Sequence, residues 1–289
     1  MDIGSRFKRL KFTQKLKCAT YVAFKLIFNI DLTEQLNINH IEKHLIYLPV
    51  IKEEQEIEEH LKENIEFLNF QSDDATIISW YVKAREGMPT ILYCHGQGEN
   101  ITSCQNIIKF LISKGYGVFI PQYRGHGQCE LLADELALYG DIFNAVDFLE
   151  EDLNVLSENI ILWGQSLGGA IAAVIASKIK VKALILESTF TSLPDLALYL
   201  SKKSSFSVLS KLVNIFTLTQ KFNTLSIVEN ISCPVLIAHS RLDDTVPVSM
   251  AEKLHQHCKN SKLFISKEGI HEESEWVFNE VEQFLSDLE

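Results

Sequence analysis

The sequence predicts an α/β architecture, a mainly parallel sheet covered by helices on both faces, and three observations lead to it. Short apolar runs alternate with longer stretches of helical character along most of the chain, the pattern of strand–helix–strand units. Two of the runs, Ala183-Leu184-Ile185-Leu186 and Val235-Leu236-Ile237-Ala238, show no polar alternation, which suits strands buried on both sides. The chain of 289 residues, 46% of them hydrophobic, can fill the core of one large domain with an appendage.

Taken in order, strands are expected at 76–82, 90–94, 117–120, 159–163, 182–186, 234–239 and 262–265. Upstream, 45–50 and 65–70 read as a preliminary antiparallel edge, and the charged run 53–66 between and across them reads as a solvated loop or helix face. No internal repeat and no low-complexity linker interrupts this organisation.

The most informative stretch is Gly164-Gln165-Ser166-Leu167-Gly168-Gly169. An apolar run, Ile160-Ile161-Leu162-Trp163, precedes it and a small-residue helical run, 170–177, follows it. Strand, tight turn and helix around G-x-S-x-G is the context of a nucleophile elbow, in which a strained turn lifts the serine hydroxyl above the sheet. Gly164 and Gly168 leave room for turn and helix to approach closely. The N–H of Leu167, at the helix start, then points where an oxyanion would form.

A nucleophilic serine on such a turn needs an acid and a histidine further along the chain. The strand 234–239 runs into His239-Ser240-Arg241-Leu242-Asp243-Asp244-Thr245-Val246-Pro247. Either Asp243 or Asp244 could be the histidine-orienting carboxylate, the other serving as a turn or cap residue. After the strand 262–265 comes Lys267-Glu268-Gly269-Ile270-His271. His271 can therefore hang over the same sheet edge as Ser166 and act as general base and acid. A second turn, His95-Gly96-Gln97-Gly98, follows the strand 90–94 and precedes a helix starting near Ile101. It doubles back beside the elbow and exposes the N–H of Gln97, expected to join Leu167 as the second oxyanion donor. His95 is expected to make structural hydrogen bonds, and Arg124 to brace a loop that packs beside the nucleophile turn.

These residues resemble the Ser-Asp-His set of the alpha/beta-hydrolase fold. More narrowly, the chain is similar to the small-lid branch holding alpha/beta-hydrolase-domain thioesterases (protein depalmitoylases) and serine-aminopeptidase-like hydrolases, with residues from about 75 to 285 taking part. Further matches are Tyr93-Cys94-His95-Gly96-Gln97-Gly98-Glu99-Asn100, Tyr123-Arg124-Gly125-His126-Gly127, and Glu187-Ser188-Thr189-Phe190-Thr191-Ser192-Leu193. The resemblance implies an eight-stranded, mainly parallel sheet with a small helical lid. It also selects Asp243 over Asp244, because the branch places its acid three residues before the Val of Val-Pro. Three departures stand out: Ser240 in place of a usual Gly, Gln122 in place of Asp, and Gln128 in place of Ser.

The segment 189–230 is too long for a plain crossover and contains 193–200 and 206–216 as short helices. It is expected over Ser166 as a lid or pocket wall. Its apolar residues have two readings, contacts that anchor small helices or a channel for an acyl group.

The first 40 residues form a separate basic arm, and 41–289 the hydrolase domain. Within 1–28, Arg6, Lys8, Arg9, Lys11, Lys15, Lys17 and Lys25 face Asp2 alone, although the whole chain carries a net charge of −11. Leu16, Ala19, Ala23, Leu26, Ile27 and Ile30 make a helical stripe. This arm packs on the body or attaches reversibly to an anionic membrane face; its apolar part is too short for a spanning helix. The acidic remainder excludes nucleic acid as a partner. Six cysteines lack metal-ligand spacing, and with no convincing export signal reduced thiols in a cytosol are expected, with peripheral membrane contact through the arm as the variant. No motif calls for a cofactor or metal.

The expected activity is that of a serine hydrolase cleaving an ester or thioester, of a small molecule or an acylated protein, through an acyl-enzyme. Ser166, Asp243 and His271 would be catalytic, with Leu167 and Gln97 as the oxyanion hole. A serine peptidase of the aminopeptidase-like type stays open, as does a lyase or acyltransferase on the same fold. So does a non-catalytic hydrolase-like scaffold that binds a protein or a membrane.

Overall fold

The computed structural model of the protein describes residues 55–125, 133–203, 218–271 and 273–288. The basic arm, the expected strand at 45–50, the helix at 206–216, His126 and Gln128 lie outside the described residues. The described residues fall into two units. The larger, 55–192 and 222–288, carries the sheet and every candidate site residue; the smaller contributes residues 193–203 and 218–221.

Eight strands build one sheet: β1 (Glu66–Ser72), β2 (Ala75–Val82), β3 (Thr90–Cys94), β4 (Gly117–Pro121), β5 (Ile160–Gln165), β6 (Ala183–Glu187), β7 (Val235–Ser240) and β8 (Ser261–Ser266). Their order is β1-β2-β4-β3-β5-β6-β7-β8. From β4 to β8 all neighbours are parallel, while β2 runs antiparallel to both β1 and β4. The antiparallel edge is thus the hairpin of β1 with β2, closed by Asp73-Asp74 with Asp73 at φ 49°. Aspartate tolerates that left-handed backbone, and a two-residue connection can join only antiparallel strands.

Among the described residues the α-helices are α1 (Glu59–Lys62), α2 (Gln105–Lys114), α3 (Glu135–Glu151), α4 (Leu167–Ala176), α5 (Leu193–Lys203), α6 (Thr224–Ile227), α7 (Val248–His257) and α8 (Phe278–Ser286). Helix α1 emerges from the charged run 53–66 because Leu61 gives it one fully buried anchor. The expected helix near Ile101 begins as a 3₁₀ turn, Ile101–Cys104, capped by the Asn100 side chain, and then becomes α2.

Every residue of β3, β4, β5, β6 and β7 is buried, as unbroken apolar runs require in a sheet covered on both faces. Alternation divides them. Ile91, Tyr93, Ile161, Trp163 and Ile185 join one core with Ile107, Ile108 and Leu111 of α2 and Val281, Phe284 and Leu285 of α8. Phe110 and Phe278 stack there at 4.2 Å between ring centroids. The intervening Leu92, Leu162 and Leu184 point to the opposite face, and α4 packs along β3, β5 and β6. No helix among the described residues is long and apolar enough to cross a membrane.

In the smaller unit, α5 extends the helix expected at 193–200 by one turn, and the Leu193 N–H donates to the Lys221 carbonyl at 2.8 Å.

Candidate active site

Parallel strands put all their carboxyl ends along one edge, and the crevice outside that edge is where α/β sheets bind and react. Four connections meet there: the turn after β3, the elbow after β5, the acid turn after β7 and the histidine turn after β8.

Ser166 links β5 directly to α4 with φ 52° and ψ −114°. Such a backbone costs a residue with a side chain about 1–3 kcal/mol and persists only where its surroundings enforce it. Here the Ser166 N–H donates to the Glu187 carbonyl at 2.8 Å, and the Thr189 hydroxyl donates to the Ser166 carbonyl at 2.7 Å. Close packing does the rest. A Cβ on Gly168 would collide with the Cys94 carbonyl, so only glycine lets α4 start against the end of β3.

The Ser166 hydroxyl lies 2.9 Å from His271 Nε2, and His271 Nδ1 lies 2.7 Å from Asp243 Oδ2. The tautomer that satisfies both contacts carries its proton on Nδ1, donates it to Asp243, and accepts from Ser166 at Nε2. Asp243 is buried, and its Oδ1 accepts the N–H groups of Thr245 at 2.9 Å and Val246 at 2.8 Å. Buried His239 lies 3.3 Å from Asp243 Oδ2 through its Nε2, which also donates to the Val246 carbonyl at 2.9 Å. Burial alone would raise the Asp243 pKa. The hydrogen bonds from His239 and His271 outweigh it and hold the carboxyl well below its ordinary range. Asp244, its neighbour, is exposed and takes the Thr245 hydroxyl at 3.3 Å. The structure therefore places Asp243, and not Asp244, against His271.

Leu167 begins α4, so its N–H has no acceptor within the helix. Gln97 sits in the turn after β3, the strand hydrogen-bonded beside β5. Gly98 takes φ 85° there, and Glu99 Oε2 accepts the Gly96 N–H at 3.0 Å, which shapes the turn. His95 is buried, with Nδ1 3.0 Å from the Gly96 carbonyl and its ring against Tyr123 at 4.0 Å between centroids. These contacts set the loop of Tyr123 and Arg124 beside this turn. Arg124 does not brace loop backbone alone. Its Nε donates to Asp141 Oδ2 at 2.8 Å, its Nη1 to Asp74 at 3.0 Å and its Nη2 to the Ser72 carbonyl at 3.3 Å. It therefore ties this loop to α3 and the edge hairpin.

Sequence reasoning did not assign the residues that hold these turns together. Gln165 Nε2 donates to the His271 carbonyl at 3.1 Å. Ser240 donates to the Gly269 carbonyl at 2.7 Å and accepts the Leu242 N–H at 3.0 Å, so it links the acid turn to the histidine turn. The only hint in the sequence was that Ser240 stands where the resembled branch has Gly. The four described cysteines, Cys94, Cys104, Cys233 and Cys258, are free, buried thiols. Burial pushes Cys94 up to about 12 and Cys233 up to about 11, which keeps both protonated and inert.

Comparison with known proteins agrees with this architecture. The family model described as serine aminopeptidase, S33, matches residues 86–230, half of the chain. The protein YfhR of Escherichia coli O157:H7 is 26% identical over 217 residues, covering 71% of this chain and 73% of YfhR. The lysophosphatidylserine lipase ABHD12 of Danio rerio is 30% identical over 209 residues, covering 66% of this chain and 52% of its own length. Among solved structures, the Pyrococcus furiosus esterase Pf2001 aligns with a TM-score of 0.64 at 18% identity, covering 77% of this chain and 90% of the esterase. The expected fold and the family resemblance both hold: the chain belongs to the serine aminopeptidase S33 family of alpha/beta hydrolases.

Proposed function

We propose that this hydrolase cleaves carboxylic esters or thioesters through an acyl-enzyme, with Ser166 as the nucleophile. The observation that carries the reading is the hydrogen-bonded chain from Ser166 through His271 to Asp243. His271 takes the hydroxyl proton as Ser166 Oγ attacks the acyl carbon. It then passes that proton to the departing alcohol or thiol. Asp243 keeps the imidazole in its required tautomer and balances the imidazolium that forms. The N–H groups of Leu167 and Gln97 receive the oxyanion, and loss of one such donor typically costs about 3 kcal/mol of transition-state stabilisation. Water activated by the same His271 then releases the acid and restores Ser166.

An acyl substrate accords with the names of two similar proteins, a lysophosphatidylserine lipase and an esterase. The experiment is hydrolysis of p-nitrophenyl esters from C2 to C16 by wild type and Ser166→Ala. Activity in wild type that the variant lacks is expected, and the chain-length optimum reports whether 189–230 forms an acyl channel. Equal rates in the two proteins would overturn the reading. Because the matched family model bears a peptidase name, aminoacyl p-nitroanilides belong in the same assay. Faster turnover of those would favour the peptidase instead.

A further inference from the structure

Strand β6 is apolar until its last residue, Glu187, which is fully buried. Its backbone carbonyl holds the Ser166 N–H, while its side chain spans two other elements. Glu187 Oε2 accepts the indole N–H of Trp163 on β5 at 2.8 Å, and Oε1 lies 2.6 Å from the Ser274 hydroxyl. Ser274 is buried, three residues beyond His271, at the start of the 3₁₀ turn Glu275–Val277 that leads into α8. One carboxyl group thus joins the strand that ends at the nucleophile to the loop that carries the histidine.

We propose that Glu187 is a positioning residue whose carboxyl ties the elbow strand, through Trp163, to the His271 loop, through Ser274, and so sets how Ser166 and His271 meet. This rests on the reading of those two residues as nucleophile and base.

The titratable groups facing Glu187 are Tyr93 on β3, Glu99 in the turn after β3 and Glu275 beyond Ser274, with no cation among its direct partners. Burial, helped by the nearby charges of Glu99 and Glu275, pushes its pKa up to about 8 against the lowering effect of the Ser274 and Trp163 hydrogen bonds. At neutral pH the group is then an uncharged acid. One carboxyl oxygen accepts the indole N–H at 2.8 Å, and the other is hydrogen-bonded to Ser274 Oγ at 2.6 Å. Ionisation keeps the Ser274 hydroxyl and the Trp163 indole N–H as donors but places a negative charge inside with no cation among its direct partners, and that burial cost loosens the clamp.

The test is kcat and KM for a short p-nitrophenyl ester between pH 6 and 9.5, in wild type, E187Q, E187A and S274A, with S166A as the baseline. The wild-type kcat should fall above about pH 8 at steady KM. E187Q, whose amide donates to Ser274 and accepts from Trp163, should restore most of the kcat and lack that fall. E187A and S274A should lose kcat by roughly 10- to 100-fold, the scale of a misplaced reacting group. An alkaline fall in E187Q equal to that of wild type would overturn the proposal. So would a wild-type kcat in S274A. If E187A does not fold, E187Q and S274A still decide. Failure of the hydrolase reading shows differently, as activity in S166A equal to wild type at every pH.

Discussion

The carboxamide of Gln165 donates to the backbone carbonyl of His271 at 3.1 Å, so the residue before Ser166 holds the backbone of Ser166's hydrogen-bond partner. Gln165 and His271 stand 106 residues apart in the chain. A second bridge, from Ser240 to the Gly269 carbonyl, ties the acid turn to the same histidine turn. Three loops of different origin are locked together by side chain-to-backbone bonds, and that pre-organisation keeps Ser166, His271 and Asp243 within hydrogen-bond reach.

Replacing Gln165 by Ala should therefore lower kcat by about tenfold or more with little change in KM, because the contact orients His271, the proposed base, and not the substrate. Steady-state kinetics on one ester check it. A change confined to KM would place Gln165 in substrate binding instead.

The acid is a sharper case, because its neighbour is the same residue type. Asp243→Asn should cut kcat by up to about 10⁴-fold, since the amide cannot hold the required histidine tautomer. Asp244→Asn, on the exposed side of the turn, should leave kcat within about twofold. Kinetics on the two variants, side by side, separate them.

Stability should depend on pH through two carboxyls with opposite signs. Asp243 has a folded pKa held below its ordinary 3.8, so its contribution is present above that value and lost as pH falls through the lower one. Glu187 has a folded pKa raised from 4.5 to about 8. The folded state then binds more protons than the unfolded one, and stability is lost as pH rises between those values. Thermal unfolding from pH 3 to 9 should show E187Q losing less Tm than wild type above pH 5. An identical slope would mean that Glu187 ionises freely.

Gly168→Ala should destabilise the fold by at least about 1–3 kcal/mol, the range for overpacking a tight interior, because its Cβ meets backbone at Cys94 that cannot move aside. Denaturant unfolding measures it. A neutral result would show that the approach of α4 to β3 is looser than drawn.

Much of this was legible in the sequence, for physical reasons. The strands fall within two residues of their expected places, because unbroken apolar runs such as Leu162-Trp163 and Ala183-Leu184-Ile185-Leu186 have no other stable home than a doubly covered sheet. Gly164 and Gly168 marked the elbow because a close backbone approach leaves glycine no substitute. What stayed hidden were contacts between loops remote in sequence: Gln165 with His271, Ser240 with Gly269, and Glu187 with Ser274. Periodicity reports which face a residue occupies and says nothing about which distant turn meets it. One signal was present, a lone acid closing the apolar strand β6, which had to be either exposed or buried with partners.

The most direct test of the central claim is covalent labelling with a fluorophosphonate, read by intact mass and peptide mapping in wild type, Ser166→Ala and His271→Ala. One adduct, on Ser166, is expected, absent in the first variant and strongly slowed in the second. No adduct on wild type, or one on another residue with Ser166 untouched, would contradict it.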